Sequence, residues 1–169
     1  MKIQDSKLPE VKIIEPDVYE DDRGYFFESF NQNNFNHLLK ANLSFVQDNQ
    51  SYSKYGVLRG LHYQTEPFSQ GKLVRVIYGE IFDVAVDIRK DSETYGRWVG
   101  EILSSNNFKQ LWIPEGFAHG FLTLSNTAIV SYKTTNYYSK DHEINIRFDS
   151  FNIDWPKLNI KYILSTKDS

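Results

Sequence analysis

Aromatic residues dominate the apolar part of this sequence, and alanine is scarce. The 169-residue chain contains twelve Phe, eleven Tyr and three Trp, whereas Ala occurs at four positions. Alanine is the best helix former, so a helical bundle of this size would use more of it. Aromatic and β-branched side chains fit the half-buried surface of a sheet. The composition therefore argues against an all-helical fold and favours strands.

Short apolar runs separated by turn residues predict where those strands lie. The run 81–89 alternates, with one apolar face and one mostly polar face. A helix is predicted at 33–39, capped by Asn33 or Asn34. Many short strands at regular spacing predict an all-β antiparallel sandwich or barrel, with a jelly roll preferred. The predicted strands span 56–63, 72–78, 81–89, 97–103, 110–113, 119–124, 128–137 and 143–148.

Length, charge and cysteine content narrow the class of protein. The length fits a single domain over 1–169. Nineteen Lys and Arg against 22 Asp and Glu give a net charge of −3, which provides no general attraction to nucleic acid or to an anionic membrane. The first residues lack the apolar core of a signal peptide, and no apolar run reaches the length of a membrane span. With no cysteine in the chain, we expect a cytoplasmic protein without disulfides or thiolate chemistry.

Three segments place polar or charged residues in predicted strands and shaped turns. Arg59 and His62 lie on opposite faces of a regular strand, and a β-bulge at Gly60 would bring both to one side. Pro and Gly residues surround His119 at the start of a strand. The segment 132–138 carries three tyrosines and a lysine. Each of these residues also has an ordinary structural role open to it, as a hydrogen-bonded histidine, a packed tyrosine ring or a solvated charge.

The histidine pattern bears on metal binding, which is common in jelly rolls. A frequent metal site uses two histidines separated by one residue, then a carboxylate and a distant histidine. None of the four histidines forms such a pair, and Gln64 stands two positions after His62. His62 and His119 would supply two nitrogens, with no third ligand indicated. We therefore expect no metal and no other cofactor.

The segments together resemble the dTDP-4-dehydrorhamnose 3,5-epimerase family. The resemblance covers nearly the whole chain and rests on motifs that occur in order. These motifs are DRGYFFE (22–28), GVLRGLHYQ (56–64), QGKLV (70–74), DVAVDIR (83–89), WIPEGFAHGF (112–121), IDWP (153–156) and LSTKD (164–168).

The resemblance implies a homodimeric jelly roll of the cupin type without a catalytic metal. It also implies epimerisation at C3 and then C5 of a dTDP-linked 4-keto-6-deoxyglucose, on the route to dTDP-L-rhamnose. Both carbons lie next to the C4 ketone, so each proton becomes removable when the resulting enolate is stabilised. A base then takes the proton from one face, and an acid returns one to the other.

The same resemblance implies roles for individual residues. His62 is the expected base, with Asp168 as the dyad partner that orients it. Lys72 would stabilise the oxyanion at O4, and Tyr132 would be the acid on the opposite face. Asp83 is expected to hold the ring of His119. The implied substrate-binding residues are Arg59 at the diphosphate, Gln47, Asn49, His119 and Tyr138, and Arg23, Phe26 and Glu28 reaching the nucleotide from the partner subunit.

One departure from the family affects the dyad. The chain stops at Ser169, so Asp168 is penultimate, in a region where chains fray. This predicts a looser dyad, or one that becomes ordered when substrate binds.

Three alternative functions stay open at this point. One is a single-centre epimerase, acting at C3 or C5 of another nucleotide-linked 4-keto sugar. Another is a metal-dependent cupin enzyme, against which the missing histidine pair argues. The third is a carbohydrate-binding jelly roll without activity, for which an acid–base set of this kind has no use.

Overall fold

Antiparallel strands are the main secondary structure of the computed structural model, which describes residues 1–168. The strands are β1 (Lys2–Asp5), β2 (Lys12–Glu15), β3 (Val18–Asp21), β4 (Gly24–Phe27), β5 (Gln47–Lys54), β6 (Leu58–Gln64), β7 (Lys72–Tyr78), β8 (Glu80–Asp87), β9 (Trp98–Ser104), β10 (Gln110–Ile113), β11 (Phe117–Thr123), β12 (Thr127–Thr134) and β13 (Glu143–Asn145). One α-helix, α1 (Gln32–Leu39), and a 3₁₀ turn at Lys140–His142 complete the secondary structure of this range. No helix within it is long and apolar enough to cross a membrane.

Two sheets face each other, as a jelly roll requires. The larger has the order β1-β2-β10-β7-β12-β5, and the smaller has the order β13-β6-β11-β8-β9. Strands β3 and β4 form a separate hairpin. All the pairings within the sheets are antiparallel, so the predicted antiparallel jelly roll is confirmed.

Three apolar clusters hold these layers together. The first lies between the sheets and includes Ile81 and Ala85 of β8. The second covers the outer face of the five-stranded sheet, where Val84 and Val86 meet Trp155 of the C-terminal segment. The third packs α1 on the outer face of the six-stranded sheet through Phe35. Burial of this apolar surface is the main force that stabilises the fold.

The predicted polar face of 81–89 is turned into the fold, and both faces of β8 are covered. The fully buried Asp87 accepts hydrogen bonds from Arg89 at 2.7 Å and from the hydroxyls of Ser92 and Thr94 at 2.6 Å. Burial raises the pKa of Asp87, but these bonds outweigh it and hold the pKa well below the usual range. The polar residues of β8 are therefore internal and hydrogen-bonded.

The helix begins earlier than predicted. Asn31 is the N-cap, and its side chain accepts a hydrogen bond from the Asn34 N–H at 3.1 Å. The predicted caps, Asn33 and Asn34, lie inside the first turn. Several asparagines in succession supply equivalent side chains, so composition alone does not select the capping one.

A β-bulge in β6 is confirmed at the predicted position. His119 of β11 pairs with His62, and Phe121 pairs with Arg59, so two steps on β11 span three on β6. Gly60, inside this bulge, has a φ of 112°, which side-chain-bearing residues rarely adopt. The extra residue removes the strand alternation that would have separated Arg59 from His62.

Gly60→Ala tests how tightly the bulge is packed. A Cβ at this position would lie 2.5 Å from the Cα of Gly120 and 2.6 Å from the His119 carbonyl oxygen, and both are backbone atoms. We expect a loss of about 3 kcal/mol or more in the free energy of unfolding, measured by urea denaturation. Gly96→Ala is the matched control, because Gly96 also has a positive φ of 75° but its Cβ would make an ordinary 3.6 Å contact with Phe151. Equal losses for the two variants would contradict the argument.

Candidate active site

A pocket of about 720 Å³ opens between the two sheets. Both sheets and the C-terminal segment 165–168 contribute to its wall. Its lining residues are Gln47, Asn49, Ser51, Arg59, His62, Tyr63, Gln64, Gln70, Lys72, His119, Gly120, Phe121, Tyr132, Tyr138, Glu143, Ser165, Thr166, Lys167 and Asp168.

Strand geometry explains why polar side chains gather here. On β5 the residues Gln47, Asn49 and Ser51 are two apart, and alternate residues of a strand share a face. On β12, Tyr132 pairs with Asn49 of β5 and with Val74 of β7. The bulge in β6 brings both Arg59 and His62 to the same pocket.

His62 is held by the C-terminal segment. Its Nε2 lies 2.5 Å from Oδ1 of Asp168, whose other oxygen accepts a hydrogen bond from the Ser165 hydroxyl at 2.7 Å. Asp168 is only 4% exposed, so the predicted loose or substrate-dependent contact is not what the structure shows. Burial lowers the pKa of His62, and the Asp168 carboxylate opposes that shift. With Nε2–H donated to Asp168, Nδ1 is the nitrogen left to accept a proton.

Lys72 and Tyr132 belong to the six-stranded sheet, opposite the strand that carries His62. The Nζ of the buried Lys72 donates a hydrogen bond to the His62 carbonyl at 3.2 Å. Burial lowers the pKa of Lys72 to about 8, although Asp83 and Glu143 favour its charged form. Burial also raises the pKa of the Tyr132 phenol, so this side chain keeps its proton at neutral pH.

A second histidine–carboxylate pair lies deeper in the pocket. His119 Nε2 is 2.7 Å from Oδ1 of Asp83, a residue with no exposed surface. The structure thus places Asp83 against the ring that it was expected to hold. Among residues 1–168, the other oxygen of Asp83 has no hydrogen-bond partner.

The predicted nucleotide-binding residues of β5 and β6 lie together. Arg59 Nε donates to the Ser53 hydroxyl at 3.0 Å, which fixes the guanidinium at the pocket wall. Gln47 donates its side-chain amide to Asn49 at 2.9 Å, and it accepts the backbone N–H of Tyr138 at 3.0 Å. The guanidinium and the two amides therefore line the same pocket.

Three predicted binding residues do not reach this pocket. Phe26, in the β3–β4 hairpin, is 71% exposed, and Arg23 forms an ion pair with Asp21. Glu28 accepts hydrogen bonds from the side chains of Asn31 and Asn34. The expectation that Arg23, Phe26 and Glu28 act from a partner subunit stays a prediction.

Two charged residues of the pocket, Lys167 and Glu143, were not among the predicted site residues. Lys167 Nζ lies 2.7 Å from Oε1 of Glu143, and the Tyr138 hydroxyl donates to Oε2 at 3.2 Å. Burial raises the pKa of Glu143, but Lys167 and Tyr138 outweigh that effect and bring the pKa below its usual value. Lys167 could have been identified from the sequence, because it stands next to Asp168 in the LSTKD motif. Nothing in the sequence distinguishes Glu143, since it is one acidic residue in a polar stretch.

A metal site would require several ligand side chains in one place. Within residues 1–168, no three His, Asp or Glu side chains come together in a way that would hold a metal ion. The residues that do converge include a histidine, a buried lysine and a tyrosine. This set suits proton transfer next to a carbonyl group.

Comparison with known proteins shows the family to which this chain is related. A sequence model of the dTDP-4-dehydrorhamnose 3,5-epimerase family matches residues 5–169. The chain is 56% identical to the dTDP-4-dehydrorhamnose 3,5-epimerase of Shigella flexneri, over 99% of this chain and 93% of that protein. It is 52% identical, with a TM-score of 0.95, to the crystal structure of dTDP-6-deoxy-D-glucose-3,5-epimerase from Legionella pneumophila in complex with dTDP-4-keto-L-rhamnose, covering 99% of this chain and 89% of that one. The chain therefore belongs to the dTDP-4-dehydrorhamnose 3,5-epimerase family, whose members are isomerases.

Proposed function

We propose that this enzyme epimerises C3 and C5 of dTDP-4-dehydro-6-deoxy-D-glucose to give dTDP-4-dehydro-L-rhamnose, within dTDP-L-rhamnose biosynthesis. The observation that carries the proposal is the arrangement of one pocket. His62, fixed by Asp168, stands on one wall, and Tyr132 stands on the sheet that forms the other. The buried cation of Lys72 belongs to the same pocket.

His62 acts as the general base in this proposal. Because Asp168 accepts the hydrogen bond of Nε2, the free Nδ1 takes the proton from the carbon next to the ketone. The Asp168 carboxylate then stabilises the imidazolium that forms. A pKa of His62 below its ordinary value keeps the ring neutral, and therefore basic, at physiological pH.

Lys72 and Tyr132 complete the step. Removal of the proton moves charge onto O4 of the sugar, and the Lys72 ammonium stabilises this oxyanion in a site shielded from water. Tyr132 donates a proton to the opposite face of the enolate, which inverts the carbon. Before the next proton transfer the His62 imidazolium releases its proton to solvent and the Tyr132 phenolate takes one up, which the raised pKa of the phenol favours.

The remaining pocket residues bind the nucleotide sugar. The Arg59 guanidinium meets the diphosphate, since its planar fork matches phosphate oxygens, and Gln47 and Asn49 assist it. His119, held by Asp83, binds the sugar, and Tyr138 lines the pocket. Arg23, Phe26 and Glu28 would contact the nucleotide of a partner subunit. The homodimer, the cytoplasmic location and the single domain over 1–169 remain predictions.

Deuterium incorporation tests the reaction. The protein is incubated with dTDP-4-keto-6-deoxyglucose in heavy water, and the label is followed at each carbon by NMR. Label at both C3 and C5 is expected, because both protons are acidified by the same ketone. Label at one carbon would indicate a single-centre epimerase. Loss of exchange when metals are chelated would indicate a metal-dependent cupin enzyme. No label at either carbon would reject this substrate.

His62→Ala tests the identity of the base. We expect the variant to lose exchange at both carbons and to retain binding of dTDP, measured by calorimetry, because the nucleotide contacts lie elsewhere in the pocket. His37→Ala, on α1 and outside the pocket, serves as the matched control. Exchange that survives in His62→Ala would show that another group is the base.

The pH profile tests the charge on Lys72. Its pKa of about 8 means that the ammonium is lost as pH rises through this value. Since the reaction needs the cation, kcat/KM should fall above pH 8, and this parameter reports the free enzyme. Lys72→Met should lower kcat about 100-fold or more and abolish that basic limb. If the basic limb were unchanged in the variant, the fall in kcat/KM above pH 8 would belong to a group other than Lys72.

A further inference from the structure

The C-terminal segment approaches His62 from outside the sheets. Its backbone joins β6 at Ile163, whose N–H donates to the Gly56 carbonyl at 2.8 Å and whose carbonyl accepts from Leu58 at 3.0 Å. Beyond this point the chain makes a turn, in which the Asp168 N–H donates to the Ser165 carbonyl at 3.0 Å. This backbone contact lies five residues before the carboxylate that holds His62.

The side chain next to Asp168 makes a firm contact with a strand outside the turn. Lys167 forms a 2.7 Å ion pair with Glu143. Glu143 belongs to β13, which pairs with the strand that carries His62, with Asn145 opposite His62 itself. Glu143 is therefore fixed in the same frame as His62, and its second oxygen is held by the Tyr138 hydroxyl.

We propose that the ion pair between Lys167 and Glu143 positions Asp168 on His62. Lys167 and Glu143 are then positioning residues that act through Asp168, in addition to any contact with substrate. The inference rests on the proposed function, because it is His62 as base that gains from a fixed carboxylate. Its physical reason is local: the pair ties the last turn to β13, and the adjacent carboxylate gains a defined position.

Electrostatics provides a discriminating test, because two effects of Lys167 on His62 have opposite signs. As a nearby cation, Lys167 lowers the pKa of His62, so removing its charge alone would raise that pKa. Asp168 raises the pKa of His62, so loosening Asp168 would lower it. The charged and titratable groups that face His62 from neighbouring elements are Asp168, Lys167, Lys72, Glu143, Tyr132, Tyr138 and His119.

The experiment is an NMR titration of the His62 ring in the ligand-free protein. His62 is assigned by the signal that disappears in His62→Ala. Asp168→Asn gives the reference for a lost carboxylate charge, and its His62 pKa should lie below that of the wild type. Lys167→Met is the test, Lys167→Arg preserves the pair, and Lys161→Met removes an exposed lysine outside the pocket.

If the ion pair of Lys167 positions Asp168, the Lys167→Met variant should have a His62 pKa that is lowered toward the value in Asp168→Asn. Lys167→Arg should restore it, and Lys161→Met should leave it unchanged. A higher or unchanged pKa in Lys167→Met would overturn the proposal. Lys167 is 48% exposed, so its loss should leave the fold intact, which an unchanged Tm would verify.

Activity gives the second readout. We expect kcat for exchange to fall roughly tenfold to a hundredfold in Lys167→Met, because a displaced carboxylate no longer orients the base. A rise in KM with kcat unchanged would show that Lys167 only binds substrate, and would overturn the inference. The titration uses no substrate, so a wild-type protein that fails to exchange deuterium would refute the proposed function without affecting the positioning result.

Discussion

The packing of the C-terminal segment on the five-stranded sheet is the interaction on which the site depends. Ile153 and Trp155 join Leu58, Val84 and Leu122 in one apolar cluster, which covers the outer face of that sheet. Burial of these side chains favours a single path for the segment. That path leads back along β6 and brings the Asp168 carboxylate to a histidine 106 residues earlier in the sequence. Core packing thus determines the geometry of the dyad.

The two histidine–aspartate pairs of the pocket have different surroundings in the sandwich. His62 and His119 are opposite each other on β6 and β11, and each contacts an aspartate. The His62 side chain is 23% exposed, whereas that of His119 is 8% exposed. The first pair therefore meets solvent and the C-terminal ion pair, and the second lies among buried charges. Position in the sandwich, not residue type, separates the proposed base from the proposed sugar-binding group.

Hydrophobic patterning predicted the strands that build the core. The strand 110–113 has the predicted bounds, and the runs at 72–78 and 81–89 correspond to β7 and β8. The pattern failed for β5, where the residues that face the pocket are Gln47, Asn49 and Ser51 in place of apolar ones. A strand that lines a polar site lacks the alternation of apolar and polar residues. Such a strand therefore cannot be predicted from hydrophobic patterning. The predicted strand at 128–137 is shorter in the structure, where β12 ends at Thr134.

Site prediction was limited by contacts that depend on tertiary structure. The family resemblance pointed to His62, Lys72, Tyr132 and Asp168, and the structure brings all four to one pocket. Burial of Lys72 was not readable from its sequence neighbours, because it follows from the closure of the two sheets over β7. Glu143 was missed for the same reason, as its partner Lys167 is 24 residues away. Local sequence therefore identifies groups that can react, while the folded chain decides their charge and orientation.

The buried polar groups of the site oppose the stability of the fold. Lys72 and Asp83 are both buried, and one carboxylate oxygen of Asp83 lacks a hydrogen-bond partner among residues 1–168. A buried polar atom without a partner costs on the order of 1–3 kcal/mol. The apolar cluster between the sheets lies beside these groups and offsets that cost. The same low-polarity surroundings shift the pKa of Lys72 and strengthen its interaction with a developing oxyanion, so the destabilising feature is also the one that the proposed chemistry requires.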